Sequence, residues 1–173
     1  MFIAHLPAGY LLASASQKWA SAKSRRLVLW CIMAGSIIPD LDMFYFYLID
    51  ARQTHHHLYW PHLPSMWVMV LGCGGVMSLF SQNTIWVRGA SWMFAGAMLH
   101  LVLDTLVGGI AWLHPFDDTL FHLVDVPARR SWWVWNFLLH WTFLLEIMIC
   151  LTSAIVWARR NHPLRWARQW TGC

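Results

Sequence analysis

The sequence predicts an all-α protein embedded in a membrane, and its composition supports that prediction directly. Of its 173 residues, 58% are hydrophobic and only 12% are charged, which is roughly half the charged fraction of a typical soluble domain. The chain contains 14 tryptophans, many of them at the ends of apolar runs, where aromatic side chains anchor membrane helices at the water interface. We expect an integral membrane bundle of four to five apolar helices that forms a single domain over residues 1–173.

Five apolar segments define the expected helices, at about 2–16, 27–49, 66–86, 91–113 and 132–157. A helix needs about 20 apolar residues to cross a bilayer. Pro39 interrupts the second segment and disfavours helical geometry at Ile38, so we expect a helix to end there. The stretch from Arg26 to Ile38 would extend only about 18 Å. The turn after it is therefore predicted at membrane depth, where irregular backbone is tolerated if it lines a cavity within the protein.

The distribution of basic residues predicts the orientation. The loops 17–26 and 87–90 and the tail carry nine Lys and Arg side chains, namely Lys18, Lys23, Arg25, Arg26, Arg88, Arg159, Arg160, Arg165 and Arg168. The opposite side carries only Arg52, Arg129 and Arg130. By the positive-inside rule, the N-terminus is outside, and the last span leads into a basic cytoplasmic tail within residues 132–173. Apolar spans flank the basic clusters, which favours this reading over nucleic-acid binding, so no nucleic-acid partner is expected.

His100 and Asp104 are the most informative pair in the chain. They lie four residues apart in the apolar run WMFAGAMLHLVLDTLVGGIAW, a spacing that places both side chains on one helix face. Ionisable groups in such a run are costly to bury and mark a functional site by default. A neutral imidazole beside a carboxylate also suits a divalent metal, although a buried pair that only ties helices together is the alternative. Gly96, one turn earlier, leaves room for a neighbouring element.

Two acids follow the proline of the second segment. Asp40 and Asp42 would point in different directions on a regular helix, but on irregular backbone after Pro39 both can face one site. The alternative is that they serve as turn or capping residues, where aspartate is common.

A histidine-rich tract, THHHLYWPHLP, comes next and contains His55, His56, His57 and His62. Such tracts are typical of metal binding, although an exposed polar loop is the alternative. Pro61 and Pro64 stiffen the tract, which favours fixed positions for His57 and His62.

Further polar residues are weaker candidates. We expect the outer-loop residues His114, Asp117, Asp118, His122 and Asp125 to be solvated. His140 and Glu146 in the last span are six residues apart, so they do not share a face.

Taken in order, these motifs resemble the YdjM-type family of predicted inner-membrane metal-dependent hydrolases. The resemblance lies in PDLD at 39–42, the His57-x4-His62 spacing, and HLVLDTLVGG followed by HPF, with His5 as the early histidine of the pattern. It covers about two thirds of the chain, up to Phe116. More remotely, the pattern is similar to that of the all-helical zinc phospholipase C and single-strand nuclease group.

The chain departs from the family pattern between the two histidines of the tract. It reads Leu-Tyr-Trp-Pro between His57 and His62, where the family has Arg-Gly-x-Thr. If the family arginine binds an anionic substrate, Arg52 or Arg129 would have to replace it, or the substrate differs.

The resemblance implies a hydrolase of the bacterial inner membrane with one or two metal ions. The expected ligands are His5, Asp40, Asp42, His57, His62, His100 and Asp104, of which Asp40, His57 and Asp104 are also expected to be catalytic. Histidines favour zinc, while the carboxylates leave manganese or magnesium open. The expected partners are membrane lipid and a lipid or lipid-linked phosphoester substrate near the outer leaflet, and the sequence does not define an oligomeric state.

Two other classes of function stay open at this point. In a haem-handling or electron-transfer protein, His100 and His140 would be axial ligands. In a transporter or scaffold, the intramembrane acids would relay ions or only hold helices together.

Overall fold

The computed structural model describes residues 3–161, apart from the side chain of Trp133. Within this range the predicted all-α class is confirmed. There are seven α-helices, α1 (His5–Ser16), α2 (Arg25–Gly35), α3 (Asp42–Leu48), α4 (Pro64–Ser81), α5 (Ile85–Asp104), α6 (Trp133–Leu138) and α7 (Thr142–Asn161). Short 3-10 turns cover Gln17–Trp19, Ile38–Leu41, His56–Leu58 and Trp60–His62. The tail residues Arg165 and Arg168 lie outside the described residues.

Two described helices, α4 and α7, are long and apolar enough to cross a membrane, and a third span results if α2 and the Ile38–Leu48 segment form one bent unit. The four to five spans expected from the sequence are therefore not confirmed. The first apolar segment forms the 12-residue helix α1, which at about 18 Å is shorter than the hydrocarbon core. Small residues such as Ala13 and Ser14 are buried along α1, which indicates a helix packed among its neighbours.

The fourth apolar segment was expected over 91–113, but α5 begins at Ile85 and ends at Asp104. Beyond that residue the backbone turns to meet the following loop, where Thr105 and Leu106 accept hydrogen bonds from the amides of Leu123 and Val124, each at 2.9 Å. Residues 105–108 form a turn, and the carbonyls of Thr105 and Leu106 bond to the loop instead of continuing the helical ladder. The last segment is likewise divided, because α6 and α7 are separate helices.

The predicted break near Pro39 is present. Helix α2 ends at Gly35, a 3-10 turn carries Pro39, and the segment Ile38–Leu48, which contains α3, lies at an angle of 46° to α2. Proline has no amide hydrogen to donate, so the i to i−4 ladder cannot continue through it. The break leaves the carbonyl of Ser36, just after the helix, without a helical donor.

Helix α5 is the centre of the molecule and packs against both α4 and α2, while α1 packs against α2 and α7. A Cβ atom at Gly35 would collide with the carbonyl oxygen of Met93, and one at Gly96 would collide with that of Ile32. The backbones of α2 and α5 therefore touch through two glycines, as small residues allow between membrane helices. The room predicted beside Gly96 is filled by α2, which brings Ser36 next to His100.

The glycine contact generates a first prediction. We expect Gly96→Ala to lower the free energy of unfolding by about 1–3 kcal/mol, the usual cost of overpacking, because the new methyl group meets backbone that cannot move aside. Thermal unfolding of the purified protein in detergent measures this. The matched control is Gly72→Ala on α4, where a Cβ meets nothing within 4 Å. Equal stability of both variants and the wild type would contradict the backbone contact.

Candidate metal centre

The structure brings all seven predicted ligands into one connected cluster. His5 comes from the start of α1, Asp40 from the turn after α2, and Asp42 from the start of α3. The remaining residues come from two 3-10 turns and from the end of α5, namely His57, His62, His100 and Asp104. Six of the seven are buried. The exception is Asp40, whose side chain is 38% exposed.

The carboxylate of Asp104 lies at the centre of the cluster. Its Oδ1 is 3.1 Å from Nε2 of His5, and its Oδ2 is 3.0 Å from Nε2 of His100. The same Oδ2 lies 3.7 Å from Nε2 of His62 and 3.9 Å from Nε2 of His57. Four imidazoles from four separate elements thus present the same ring nitrogen to one carboxylate.

Backbone carbonyls fix the orientation of two of these rings. Nδ1 of His57 is 2.7 Å from the carbonyl of Gly108 and 2.8 Å from that of Gly109. Nδ1 of His100 is 2.9 Å from the carbonyl of Ser36. Since a carbonyl oxygen only accepts, Nδ1 carries a hydrogen in both rings. The Nε2 atom of each ring therefore faces the centre of the cluster.

Asp42 fixes the orientation of a third ring, that of His62. Its Oδ2 lies 2.6 Å from Nδ1 of His62, so this carboxylate holds one ring nitrogen while the other, Nε2, faces Asp104. This arrangement is common behind metal-binding histidines, where the outer carboxylate orients the ring and raises its basicity. Asp42, which the sequence predicted as a ligand, is placed in contact with His62 and is not among the atoms that converge.

Asp40 closes the cluster on its exposed side. Its Oδ1 is 3.6 Å from Nε2 of His100 and 3.9 Å from Nε2 of His62, and its Oδ2 is 4.0 Å from Nε2 of His5. The irregular backbone after Pro39 thus turns this acid toward the same point as Asp104.

Within residues 3–161, two groups of side chains can hold a metal ion, each with its ligand atoms within 4.8 Å of one another. One consists of His5, Asp40, His100 and Asp104, and the other of His56, His57 and His62. His56 was not among the predicted ligands. The family spacing selected His57 and His62, and nothing in the sequence singled out His56. The 3-10 turn over His56–Leu58 brings the ring of His56 next to that of His57.

The pKa values of the tract histidines follow from burial and from their neighbours. Burial lowers the pKa of His57 to about 4 and that of His56 to about 2, so both rings are neutral at pH 7. Burial also acts on His62, but its hydrogen bonds with Asp104 and Asp42 outweigh that effect and raise its pKa to about 9. His62 therefore carries a proton at neutral pH when no metal is bound.

The outer-loop candidates lie outside both metal-competent groups. Nδ1 of His114 pairs with Ser65 Oγ at 2.7 Å, and the exposed side chains of His122 and Asp125 pair with each other at 2.7 Å. Asp117 accepts hydrogen bonds from the backbone and hydroxyl of Thr119. Asp118 is exposed.

The last span also stands apart from the cluster. His140 pairs with Thr142, and buried Glu146 accepts a hydrogen bond from the amide of Ile3 at 2.6 Å. His100 is held by Ser36 and Asp104, so the two histidines considered as haem ligands have different partners.

A cavity of about 540 Å³ opens beside the cluster. Asp40, His56 and His57 form part of its wall, so ligand-competent side chains are accessible from this cavity. The volume falls within the usual range for small-molecule sites.

Comparison with protein families gives a match over residues 1–171 to the model described as YdjM inner membrane protein. The comparisons with curated proteins and with solved structures give no match. A membrane protein with buried histidines and aspartates grouped so that they can hold a metal agrees with the resemblance carried by PDLD, the paired histidines and HLVLDTLVGG. The family match spans almost the whole sequence, and the chain therefore belongs to the YdjM family of inner membrane proteins.

Proposed function

We propose that this protein is a membrane-bound metal-dependent hydrolase that acts on a lipid or lipid-linked phosphoester through a site for one or two ions. The observation that carries the proposal is the convergence of four Nε2 atoms on the carboxylate of Asp104. Imidazoles with oriented Nδ1 hydrogens, gathered around carboxylates, are the donor set that a divalent metal selects. A structural tie between helices would need one such pair rather than four.

The ligand atoms suggest how two ions would be shared. Oδ1 of Asp104 faces His5, while its Oδ2 faces His57, His62 and His100, so this carboxylate would help to hold an ion on either side. Asp40 adds two more oxygens, and Asp42 would act by orienting His62. The histidine-rich set favours zinc, with manganese or magnesium as the alternatives for the carboxylates.

The residues at the cavity wall would carry the chemistry. A bound divalent ion supplies activation of water near neutral pH and neutralisation of charge on a phosphoryl group. Asp40 is both the most exposed of the acids in the cluster and part of the cavity wall, so its carboxylate is placed to accept a proton from water. His57 presents its ring to the same cavity, while buried Asp104 holds the cluster together.

The position of the basic residues, at the end of the bundle away from the cluster, supports a site toward the outer leaflet. Helix α1 begins at His5 and ends about 17 Å away, where Arg160 donates hydrogen bonds to Ser14 and Gln17. Lys18 and Arg25 line a cavity at that same end. Because basic residues favour the cytoplasmic side, we place the metal cluster on the outer side, with the N-terminus outside and the C-terminus in the cytoplasm.

Metal content gives the most direct test. We expect the wild type to retain a divalent metal through purification, and His100→Ala and Asp104→Ala to lose most of it because each removes a central ligand. Asp40→Asn should lower metal content without unfolding the bundle. Elemental analysis of the purified proteins measures this, with circular dichroism as the check on folding.

The matched control for this series is His140→Ala, which removes a half-buried histidine outside the cluster. It should keep the wild-type metal content. Full metal in His100→Ala and Asp104→Ala, or none in the wild type, would contradict the metal site.

Hydrolysis is tested with phosphatidic acid in detergent micelles as the probe for a lipid phosphoester. We expect release of inorganic phosphate by the wild type, loss of release after chelation, and recovery when zinc or manganese is added back. Metal-loaded protein that releases no phosphate from this lipid, nor headgroup from lipid phosphodiesters, would refute the hydrolase assignment and leave the metal site intact.

Metal affinity should depend on pH through His62. Its pKa is raised to about 9, so below that pH a metal that binds its Nε2 must displace a proton. Affinity should then fall about tenfold for each unit that the pH is lowered. Zinc titrations in detergent between pH 6 and 8 measure the slope. Asp42→Asn removes one of the carboxylates that raise this pKa, so it should flatten the slope, and an unchanged slope would argue against His62 as a ligand.

A further inference from the structure

The cavity beside the metal cluster is lined by two chemically different sets of residues, which we call its polar and apolar walls. The polar part consists of Asp40, Arg52, His55, His56 and His57, and the apolar part of Met43, Phe46, Tyr47, Val107, Gly108 and Phe137. A site of this kind fits a molecule that is charged at one end and apolar at the other.

Among the described residues that line the cavity, Arg52 carries the one fixed positive charge. Among the residues that the structure describes, no acidic side chain lies within 4.0 Å of its guanidinium. The group lies instead 5.6 Å from the centre of the Tyr47 ring, which is also part of the wall. A guanidinium without an acidic partner, at the edge of a cavity, is available to an anion.

The backbone around Arg52 is strained. Ala51 and Arg52 have φ values of 49° and 65°, in the left-handed region that residues with a Cβ atom rarely adopt. Hydrogen bonds hold this turn in place. The amide of Arg52 donates to the carbonyl of Phe46 at 3.0 Å. Asp50 accepts hydrogen bonds from the amides of Gln53 and Thr54. Strain that the surrounding structure maintains is typical of functional positions, and here it directs an arginine to the cavity.

The apolar wall includes side chains of two helices. Met43 and Phe46 lie on α3 and Phe137 lies on α6. On α3, Phe44 and Leu48 are exposed, as expected for side chains in contact with hydrocarbon. An acyl or isoprenyl chain that lies against this wall would therefore have further exposed apolar side chains of the same helix beside it.

We propose that Arg52 anchors the phosphate of an anionic lipid whose hydrocarbon chain lies against the Phe46 and Met43 wall of the cavity. This inference rests on the proposed function, because it takes the metal cluster as the place where that phosphate reacts. A guanidinium binds phosphate with two parallel charge-assisted hydrogen bonds. Together the two walls favour a molecule that carries both a phosphate and a hydrocarbon chain. A soluble phosphate ester would contact the polar wall but leave the apolar wall unoccupied.

The experiment measures binding of dioleoyl phosphatidic acid to the full chain in detergent by intrinsic tryptophan fluorescence. Glycerol 3-phosphate serves as the soluble probe with the same phosphate, and dioleoyl phosphatidylcholine as the lipid without net charge. We expect the wild type to bind phosphatidic acid more tightly than either. Arg52→Ala should weaken that binding about tenfold to a hundredfold, as expected for a charge-assisted contact, and Arg52→Lys should restore part of it.

Two further variants separate the walls. Arg129→Ala removes an exposed arginine that is also predicted on the outer side but does not line the cavity, and it should bind phosphatidic acid as the wild type does. Phe46→Ala should weaken phosphatidic acid while leaving glycerol 3-phosphate unchanged. If Phe46→Ala loses metal, which would indicate a wider disturbance, Met43→Gln tests the same wall.

Several outcomes would overturn the inference. One is an equal loss in Arg129→Ala and Arg52→Ala, which would indicate general surface attraction, and another is equal affinity of the wild type for glycerol 3-phosphate and phosphatidic acid. The proposed function fails separately. Arg52-dependent lipid binding without phosphate release supports this inference and refutes hydrolysis, whereas phosphate release with unchanged lipid binding in Arg52→Ala supports hydrolysis and refutes this inference.

Discussion

The structure depends on a carboxylate that is buried in an apolar interior. Asp104 is 1% exposed, and removing a charge from water at such a site costs several kcal/mol unless partners compensate. The compensation comes from imidazoles on α1, on the two histidine turns and on α5 itself. Since these elements are distant in sequence, one acid at the end of a helix determines where four parts of the chain must meet.

Helix ends provide the acceptors that orient the histidines. Ser36 follows the end of α2, and Gly108 follows the end of α5, so their carbonyls have no helical donor. His100 and His57 donate Nδ1 hydrogens to these two carbonyls. The break near Pro39 and the early end of α5 therefore serve the site, and the glycine contact at Gly96 brings the first of these carbonyls within reach of its histidine.

Residue type and spacing singled out side chains that the structure brings close together, because buried histidines and acids in an apolar chain have few roles. The same reasoning could not place Asp42 behind His62, nor choose His56 within its tract, because both depend on the conformation of short 3-10 turns. The number of spans was also not predictable from hydropathy. Segment 2–16 is apolar since α1 is packed inside the protein, and a count of apolar residues does not distinguish a helix in protein from a helix in lipid.

The direction from which a substrate reaches the cluster follows from burial. His62 and His100 are 0% exposed, so neither water nor lipid contacts them directly. Asp40, at 38% exposure, and His57 border the cavity, and Arg52 stands on the same wall. Under the proposed function, a lipid phosphate that enters along the apolar side of α3 would meet the guanidinium and the exposed edge of the cluster from one direction. A site accessible on one edge would orient such an amphiphile without enclosing it, because a membrane would hold the hydrocarbon chain and the protein would need to position only the phosphate.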